Sequence, residues 1–430
     1  VVMNRKQRRE LRKDKNLIIE LYSIIKKYLP DLFDKFEELT DVRHQSYITY
    51  NMKTICVTRL FGLICGLTSL SNISSDEFNT DACIKNISTI CNTRLTELPY
   101  WETIQDVFMN IKLSELKNIQ KYIIKTLLRS KMFDKYKFEG AFQLLFDGTG
   151  LSNHNYNLND NCLKRKHKDG KISYYKYVLE CKLVAGNIVI SLDSEFIENK
   201  KMLTEKQKQD CETNAFKRMI KRIKSNYPKY KFIITGDGLY STTPIINICK
   251  KYHWLFIFNL KPDRLRDINN TFEENIKLLN ETNKANYFLS SNIEFNNNLI
   301  NVFKYNEIKK SKTTIFRYIS NIKMDNDNIE MVVQLGRKRW KIENEGFYTQ
   351  KHRTFDITHL NSRNDNSMKC HYYFIQFAHT IRQLLELGNL LTKSLKLKIK
   401  EVSANLLKSL TSTISDLNNL EINFQLRFDD

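Results

Sequence analysis

The hydrophobic period of the chain changes near residue 140, and that change most limits what the chain can fold into. From Asn4 to about Phe138 apolar residues recur at spacings of three and four, as in Leu17-Ile18-Leu21-Ile24-Ile25-Tyr28, Leu60-Leu63-Ile64-Leu67 and Leu116-Ile119-Ile123-Leu127. Such spacing gives each segment one apolar helix face and predicts an all-α N-terminal region. At Phe142 the pattern becomes short apolar runs. Phe142 to Phe146 reads as a buried strand, Tyr174 to Ala185 as a longer one, and Gly186-Asn187 as a tight turn into Ile188 to Leu192.

A helix is expected over Glu205 to Ile223, with Cys211, Ala215, Phe216, Met219, Ile220 and Ile223 on its apolar face. Lys231 to Thr235 reads as a strand ending at Gly236-Asp237. Thr243-Pro244 reads as a helix start with Thr243 as cap, and Trp254 to Leu260 as a further strand. The order strand, strand, strand, helix, strand, helix, strand fits a mixed α/β sheet, because tight turns join antiparallel strands and helices cross over between parallel ones. Asp147 and Asp237 then fall at strand C-terminal ends, where open α/β sheets bind ligands. From about Asp263 to Val333 short alternating strands resume, including Asn292 to Phe295, Leu299 to Tyr305 and Thr314 to Ile322, with Asn297-Asn298 as a turn. Helical patterns return at Arg337 to Lys351, His371 to Leu391 and Val402 to Leu410. The chain therefore divides into a helical region over 1–138, a core over 139–262, a β-rich insertion over 263–333, the rest of the core over 334–392 and a helical tail over 393–430.

A net charge of +21 predicts a polyanionic partner, because released counterions reward basic surface on phosphates. The N-terminal run Arg5-Lys6-Gln7-Arg8-Arg9 offers Arg8 and Arg9 as phosphate contacts; the competing reading is a solvated charged face. No segment approaches the roughly 18 uninterrupted apolar residues of a membrane span. The stretch after the basic N-terminus is broken by Glu20, Lys26 and Lys27, so no secretory signal is read and the expectation is cytoplasmic. Nine cysteines, an odd number without a C-x-x-C pair, argue against a disulfide framework and a zinc ribbon. His154, Cys162 and His167, in a polar loop, are a candidate zinc set.

Three carboxylates carry the chemistry: Asp147 in Phe146-Asp147-Gly148-Thr149-Gly150, Asp237 in Gly236-Asp237-Gly238-Leu239, and Glu343 in Arg339-Trp340-Lys341-Ile342-Glu343. Singly, each has a bland reading. Asp-Gly after a strand is a common turn, and Glu343 pairs with Arg339 one helical turn away. Together they suit phosphodiester cleavage by two Mg²⁺ ions about 3.5 to 4 Å apart, with Mn²⁺ as a substitute. Asp147 would bridge the ions while Asp237 and Glu343 hold one each. Arg339 would orient the phosphate, and Glu345 competes as third carboxylate. Trp340 and Phe347 read as packing.

These residues resemble the bacterial insertion-sequence transposases with an Asp-Asp-Glu triad, particularly the type-four group whose last carboxylate lies in a Tyr-Arg-Glu-Lys signature. The stretches from Asn161-Cys162-Leu163-Lys164 through Gly170-Lys171-Ile172-Ser173-Tyr174-Tyr175 to Gln209-Asp210-Cys211-Glu212 are similar too. The resemblance implies a ribonuclease-H-like core with a β insertion, an N-terminal DNA-binding region, Mg²⁺ dependence and a dimer on paired transposon ends. It implies that a 3′-hydroxyl is freed at the element's end and then joined to target DNA. In two places the sequence departs from the signature. The tyrosine three residues before Arg339 is Gly336, and the lysine seven after Glu343 is Gln350. Lys351 fills the lysine's role if Gly346 shifts the helix locally. The alternatives are an inert transposase-derived DNA-binding protein, which would have lost a carboxylate, and a nuclease of the same fold without strand transfer.

Overall fold

A computed structural model describes residues 16–199, 209–310, 312–389, 399–414, 417, 420 and 422–428. Among the described residues six α-helices precede the first strand: α1 (Leu17–Tyr28), α2 (Leu32–Glu37), α3 (Met52–Ile64), α4 (Asp81–Cys91), α5 (Trp101–Phe108) and α6 (Leu113–Arg129). The side chains of Asn16, Asn51 and Thr80 accept from backbone N–H groups in the first turns of α1, α3 and α4, so three of the helix starts are capped. These helices do not form a separate lobe. They close around α12 (Asp365–Glu386), which is buried from Ser367 to Leu385 and also lies on the sheet, and one continuous hydrophobic core joins all three.

The strands are β1 (Ala141–His154), β2 (Leu163–Lys166), β3 (Ile172–Ala185), β4 (Ile188–Ile197), β5 (Lys231–Gly236), β6 (Leu255–Asn259), β7 (Lys277–Thr282), β8 (Ala285–Phe295), β9 (Asn298–Lys309) and β10 (Lys312–Ser320). They make one 10-stranded sheet in the order β2-β3-β1-β5-β6-β10-β9-β8-β7, with β4 also on β3. β3 runs antiparallel to β1 and β4, while β1, β5 and β6 are parallel, linked through α7 (Glu212–Asn226) and α8 (Thr243–Tyr252). The segment β4-β3-β1-β5-β6 is the mixed sheet of a ribonuclease-H-like core. The strands from residue 277 to 320 extend that sheet instead of standing apart, because β10 pairs with β6. Among the described residues no helix is long and apolar enough to cross a membrane.

Several expectations need correction. Asp147 does not end a strand: β1 continues to His154 because β3 supplies hydrogen-bond partners beyond the Asp-Gly step. What ends near Asp147 is the parallel ladder, whose last pair is Leu145 with Thr235. Cys211 is exposed and extended ahead of α7, off the apolar helix face, while residues 200–208 lie outside the described set. Thr242, not Thr243, precedes α8. The supposed polar loop contains β2, with Cys162 buried beside it, and His154, Cys162 and His167 do not assemble into a metal-ligand group. An unforeseen helix, α9 (Arg266–Asn275), opens the region after β6. The β8–β9 turn lies at Asn296-Asn297, where both residues take left-handed backbone that asparagine tolerates.

Candidate active site

The alternation of β1 decides what faces what. Phe142, Leu144 and Phe146 enter the main core, so Gln143, Leu145 and Asp147 point to the opposite face. There they meet one long helical segment. It begins as α10 (Ile329–Arg337), tightens to a 3₁₀ turn at Lys338–Trp340, widens to a π-helix over Ile342–Tyr348 and closes as α11 (Thr349–His352). Gln143 donates to the Leu335 carbonyl at 2.7 Å, and Leu145 packs in a small cluster with Ile342 and Phe347. Lys341 ties the segment to the β3–β4 turn through the Gly186 carbonyl at 3.0 Å and Asn187 Oδ1 at 2.9 Å. These contacts bring Arg339 and Glu343 beside Asp147.

Arg339 Nη1 donates to Glu343 Oε1 at 2.8 Å and lies 3.8 Å from Asp147 Oδ2, so two carboxylates distant in sequence share one guanidinium. The Arg339 side chain is buried, its Nε has no hydrogen-bond partner among the described residues, and its guanidinium lies over the Trp340 ring at 4.3 Å. Trp340 is 45% exposed, contrary to its expected packing role, whereas Phe347 is buried as expected. Asp147 Oδ1 accepts from the Gly148 N–H at 2.9 Å. Burial raises the Asp147 carboxyl to about 7; Arg339 opposes the rise, and Glu212 and Glu343 add to it.

Asp237 follows β5 directly, and its Oδ1 accepts from the Leu239 N–H at 2.8 Å, which fixes the turn. It joins the other acids through Glu212, at the start of α7, and Tyr240. The buried Tyr240 hydroxyl donates to Glu212 Oε1 at 2.5 Å, and burial, then Asp237, raise the Glu212 carboxyl. Glu212 had no role in the sequence reading. Its signal was present, since it is an acid at a helix start in a stretch already noted, but nothing in the sequence shows that α7 points that end at Asp147. Gly148 matters by close approach: a Cβ there would stand 2.4 Å from Tyr177 Cε1 and 2.8 Å from Glu212 Oε2.

The π-helix alters which residues look into the site. In an α-helix seven steps of about 100° bring a residue to within about 20° of two full turns, which would aim Gln350 along the direction of Glu343. A π turn takes one extra residue. Gln350 is instead fully buried, donating to Gln376 Oε1 at 2.7 Å and bonded to His379 Nδ1 at 3.0 Å. Lys351 feels Asp147 electrostatically; burial pulls its ammonium below the usual lysine value and Asp147 opposes that. Gly346 accommodates the wide turn, for its Cβ position lies 3.2 Å from Cδ and Cε of the buried Lys182. A Cβ at Gly336 would stand 3.0 Å from the Tyr318 ring of β10, so an aromatic from the sheet fills the space a side chain there would take. Glu343, not Glu345, shares Arg339 with Asp147; Glu345 Oε2 is buried without a hydrogen-bond partner among the described residues. Arg8 and Arg9 lie outside the described residues.

Residues 143–381, more than half of the chain, match the family model described as a transposase DDE domain. The chain belongs to the DDE transposase family. Among curated proteins none matches it. DDE transposases generally use divalent metal ions, so the fit of this transposase's acids to such an ion can be examined. As the side chains stand, no three His, Cys, Asp or Glu among the described residues are close enough to hold one ion together. The donor chemistry nevertheless fits: hard carboxylate oxygens suit Mg²⁺, and Asp147, Glu212 and Glu343 concentrate negative charge that Arg339 partly offsets.

Proposed function

We propose that this chain is an insertion-sequence transposase of the type-four group, which cuts DNA at the element's ends and joins the freed 3′-hydroxyl to target DNA. The observation that carries the reading is the sharing of Arg339 by Asp147 and Glu343, with Asp237 coupled to the same group through Glu212. Asp147, Asp237 and Glu343 are the residues that would hold Mg²⁺. When bound, two such ions supply a deprotonated nucleophile and neutralise charge on the leaving oxygen. Arg339, whose guanidinium already bridges Asp147 and Glu343, orients the phosphate of the strand. Lys351 takes the signature lysine's part as a second phosphate contact, a role supported by its electrostatic link to Asp147. The acids are half-buried, which weakens the screening of these charges by bulk water.

In this reading residues 1–138 and their Arg8 and Arg9 contribute to DNA binding, 139–262 and 334–392 form the catalytic core, 263–333 the β-rich insertion and 393–430 the tail. The protein works as a dimer on paired ends in the cytoplasm, on nucleoid DNA. Incubation with DNA bearing candidate ends, with and without Mg²⁺, tests it. Asp147→Asn should abolish cleavage and leave end binding largely intact, because it removes a metal ligand and no basic contact. Normal cutting by that variant would end the assignment.

A further inference from the structure

We infer that the β2–β3 ribbon, Leu163 to Tyr175, is a DNA backbone clamp that grips the duplex about eight base pairs from the cut; its distance from the cut rests on the strand-cutting reading above. The ribbon carries Lys164, Arg165, Lys166, Lys168 and Lys171, all exposed, against the one acid Asp169. Among the described residues only Lys171 of these five has a carboxylate partner, Asp169 at 3.3 Å, and that pair is itself exposed. So much unpaired like charge on a narrow ribbon costs self-repulsion unless a polyanion meets it.

The ribbon is held stiff for the purpose. Lys164 Nζ lies over the Tyr174 ring at 5.7 Å and the Arg165 guanidinium over Tyr175 at 5.2 Å, so both cations rest on aromatic supports from the paired strand. The side-chain amide of Gln209 closes the outer edge at Lys164: Oε1 accepts from the Lys164 N–H at 2.6 Å, and Nε2 donates to the Lys164 carbonyl at 2.8 Å. That edge is therefore blocked at Lys164 against pairing with another strand, which turns attention from its backbone to its side chains.

The ladder also sets the reach. Asp147 pairs with Glu180 and Lys166 with Ile172, so eight steps of β3 separate the site from the ribbon's outer part. At about 3.3 Å per residue this is roughly 26 Å, or about eight phosphates of one strand at about 3.4 Å each. Between them runs a groove of about 470 Å³ lined by Tyr177, Tyr175, Arg165 and His154, with Thr358 and Leu360 opposite. Tyr177 and Glu212 both close on Gly148, so the groove reaches the acids of the site at Glu212.

The test compares three full-length proteins on end DNA across a salt series: wild type, Lys164→Gln/Arg165→Gln/Lys166→Gln, and Lys250→Gln/Lys251→Gln at exposed positions of α8 as a surface control. Each lost phosphate contact lowers the slope of log affinity against log salt by about 0.9. The ribbon variant should lose about 2 to 3 from the slope, so that from about 50 to 200 mM salt the wild type loses roughly 40-fold more affinity than the variant. A neutral methylphosphonate placed singly along the DNA should weaken wild-type binding most about eight base pairs from the cut, and this maximum should vanish in the ribbon variant. A ribbon variant with the wild-type slope, or one that behaves like the α8 control, overturns the clamp. Should the wild type bind but never cut with Mg²⁺, the strand-cutting reading fails while the slope still decides the ribbon.

Discussion

Asp147→Asn should make the metal-free protein more stable at pH 8, although the same change is expected to end catalysis. In the folded chain burial lifts this carboxyl from its ordinary 3.8 to about 7. The folded state thus holds the proton more tightly than the unfolded one. Stability therefore falls as pH rises from about 4 to 7, and the full penalty is present above pH 7. The whole span is worth at most about 4 kcal/mol at roughly 1.4 kcal/mol per pH unit. With 24% of the side chain exposed, solvent screens part of it, and about 2 kcal/mol is expected. Asparagine keeps an acceptor for the Gly148 N–H and removes the charge. Urea unfolding in EDTA, followed by tryptophan fluorescence, should show the variant gaining on the wild type by about 1 kcal/mol between pH 5 and pH 8. Mg²⁺ at pH 8 should then raise the wild type and leave the variant unchanged. A variant less stable than wild type, or a difference independent of pH, would refute the claim that buried negative charge is stored at Asp147.

Beneath the π-helix, Glu180 is fully buried and accepts from Ser191, Ser194 and Tyr372 hydroxyls, with Lys182 Nζ at 3.4 Å. Lys182→Met leaves that carboxylate without its cation and should cost about 3 to 5 kcal/mol, whereas Lys182→Met/Glu180→Gln should be more stable than either single change; additive losses in denaturant unfolding would contradict the coupling. Gly346→Ala puts a methyl 3.2 Å from the Lys182 stem, which is pinned by Gln376 at 3.1 Å and has little room to yield. It should cost about 1 to 3 kcal/mol and slow cleavage by displacing Glu343, while Ala at the exposed neighbour Asn344 should do neither.

The element order of the core was legible because its strands are continuous apolar runs and its helices are one-sided; Ala215, Phe216, Met219, Ile220 and Ile223 are buried on α7 as their spacing predicts. Asp147's position within a strand was not legible, because Asp-Gly-Thr-Gly has the composition of a turn. Only β3, whose residues lie far along the chain, supplies the pairing that keeps it extended. β2 was hidden for a similar reason: Leu163-Lys164-Arg165-Lys166 has one apolar residue, and its pairing with Ile172 to Tyr175 is decided across a turn. The link of Asp147 to Glu343 could be suspected from residue type, but not the shared guanidinium, which depends on where Leu145 meets Ile342 and Phe347.

The same dependence on packing explains why counting along the chain misplaces Lys351. A spacing rule such as Glu-to-Lys at seven residues holds for a regular α-helix, where rotation per residue is constant. Here the helix rests on Lys182, whose buried stem occupies the space below residue 346, and Gly346 lets the backbone widen there without a Cβ collision. Widening inserts one residue, which turns the uncharged Gln350 into the core toward Gln376 and His379 and leaves Lys351 with the electrostatic link to Asp147. Forced back to α-helical rotation, the segment would pull Gln350 out of its buried bonds to Gln376 and His379 and carry Lys351 past Asp147, so both ends of the exchange oppose it. The buried Glu180–Lys182 pair, which belongs to no recognised motif, thereby selects which side chain Asp147 sees.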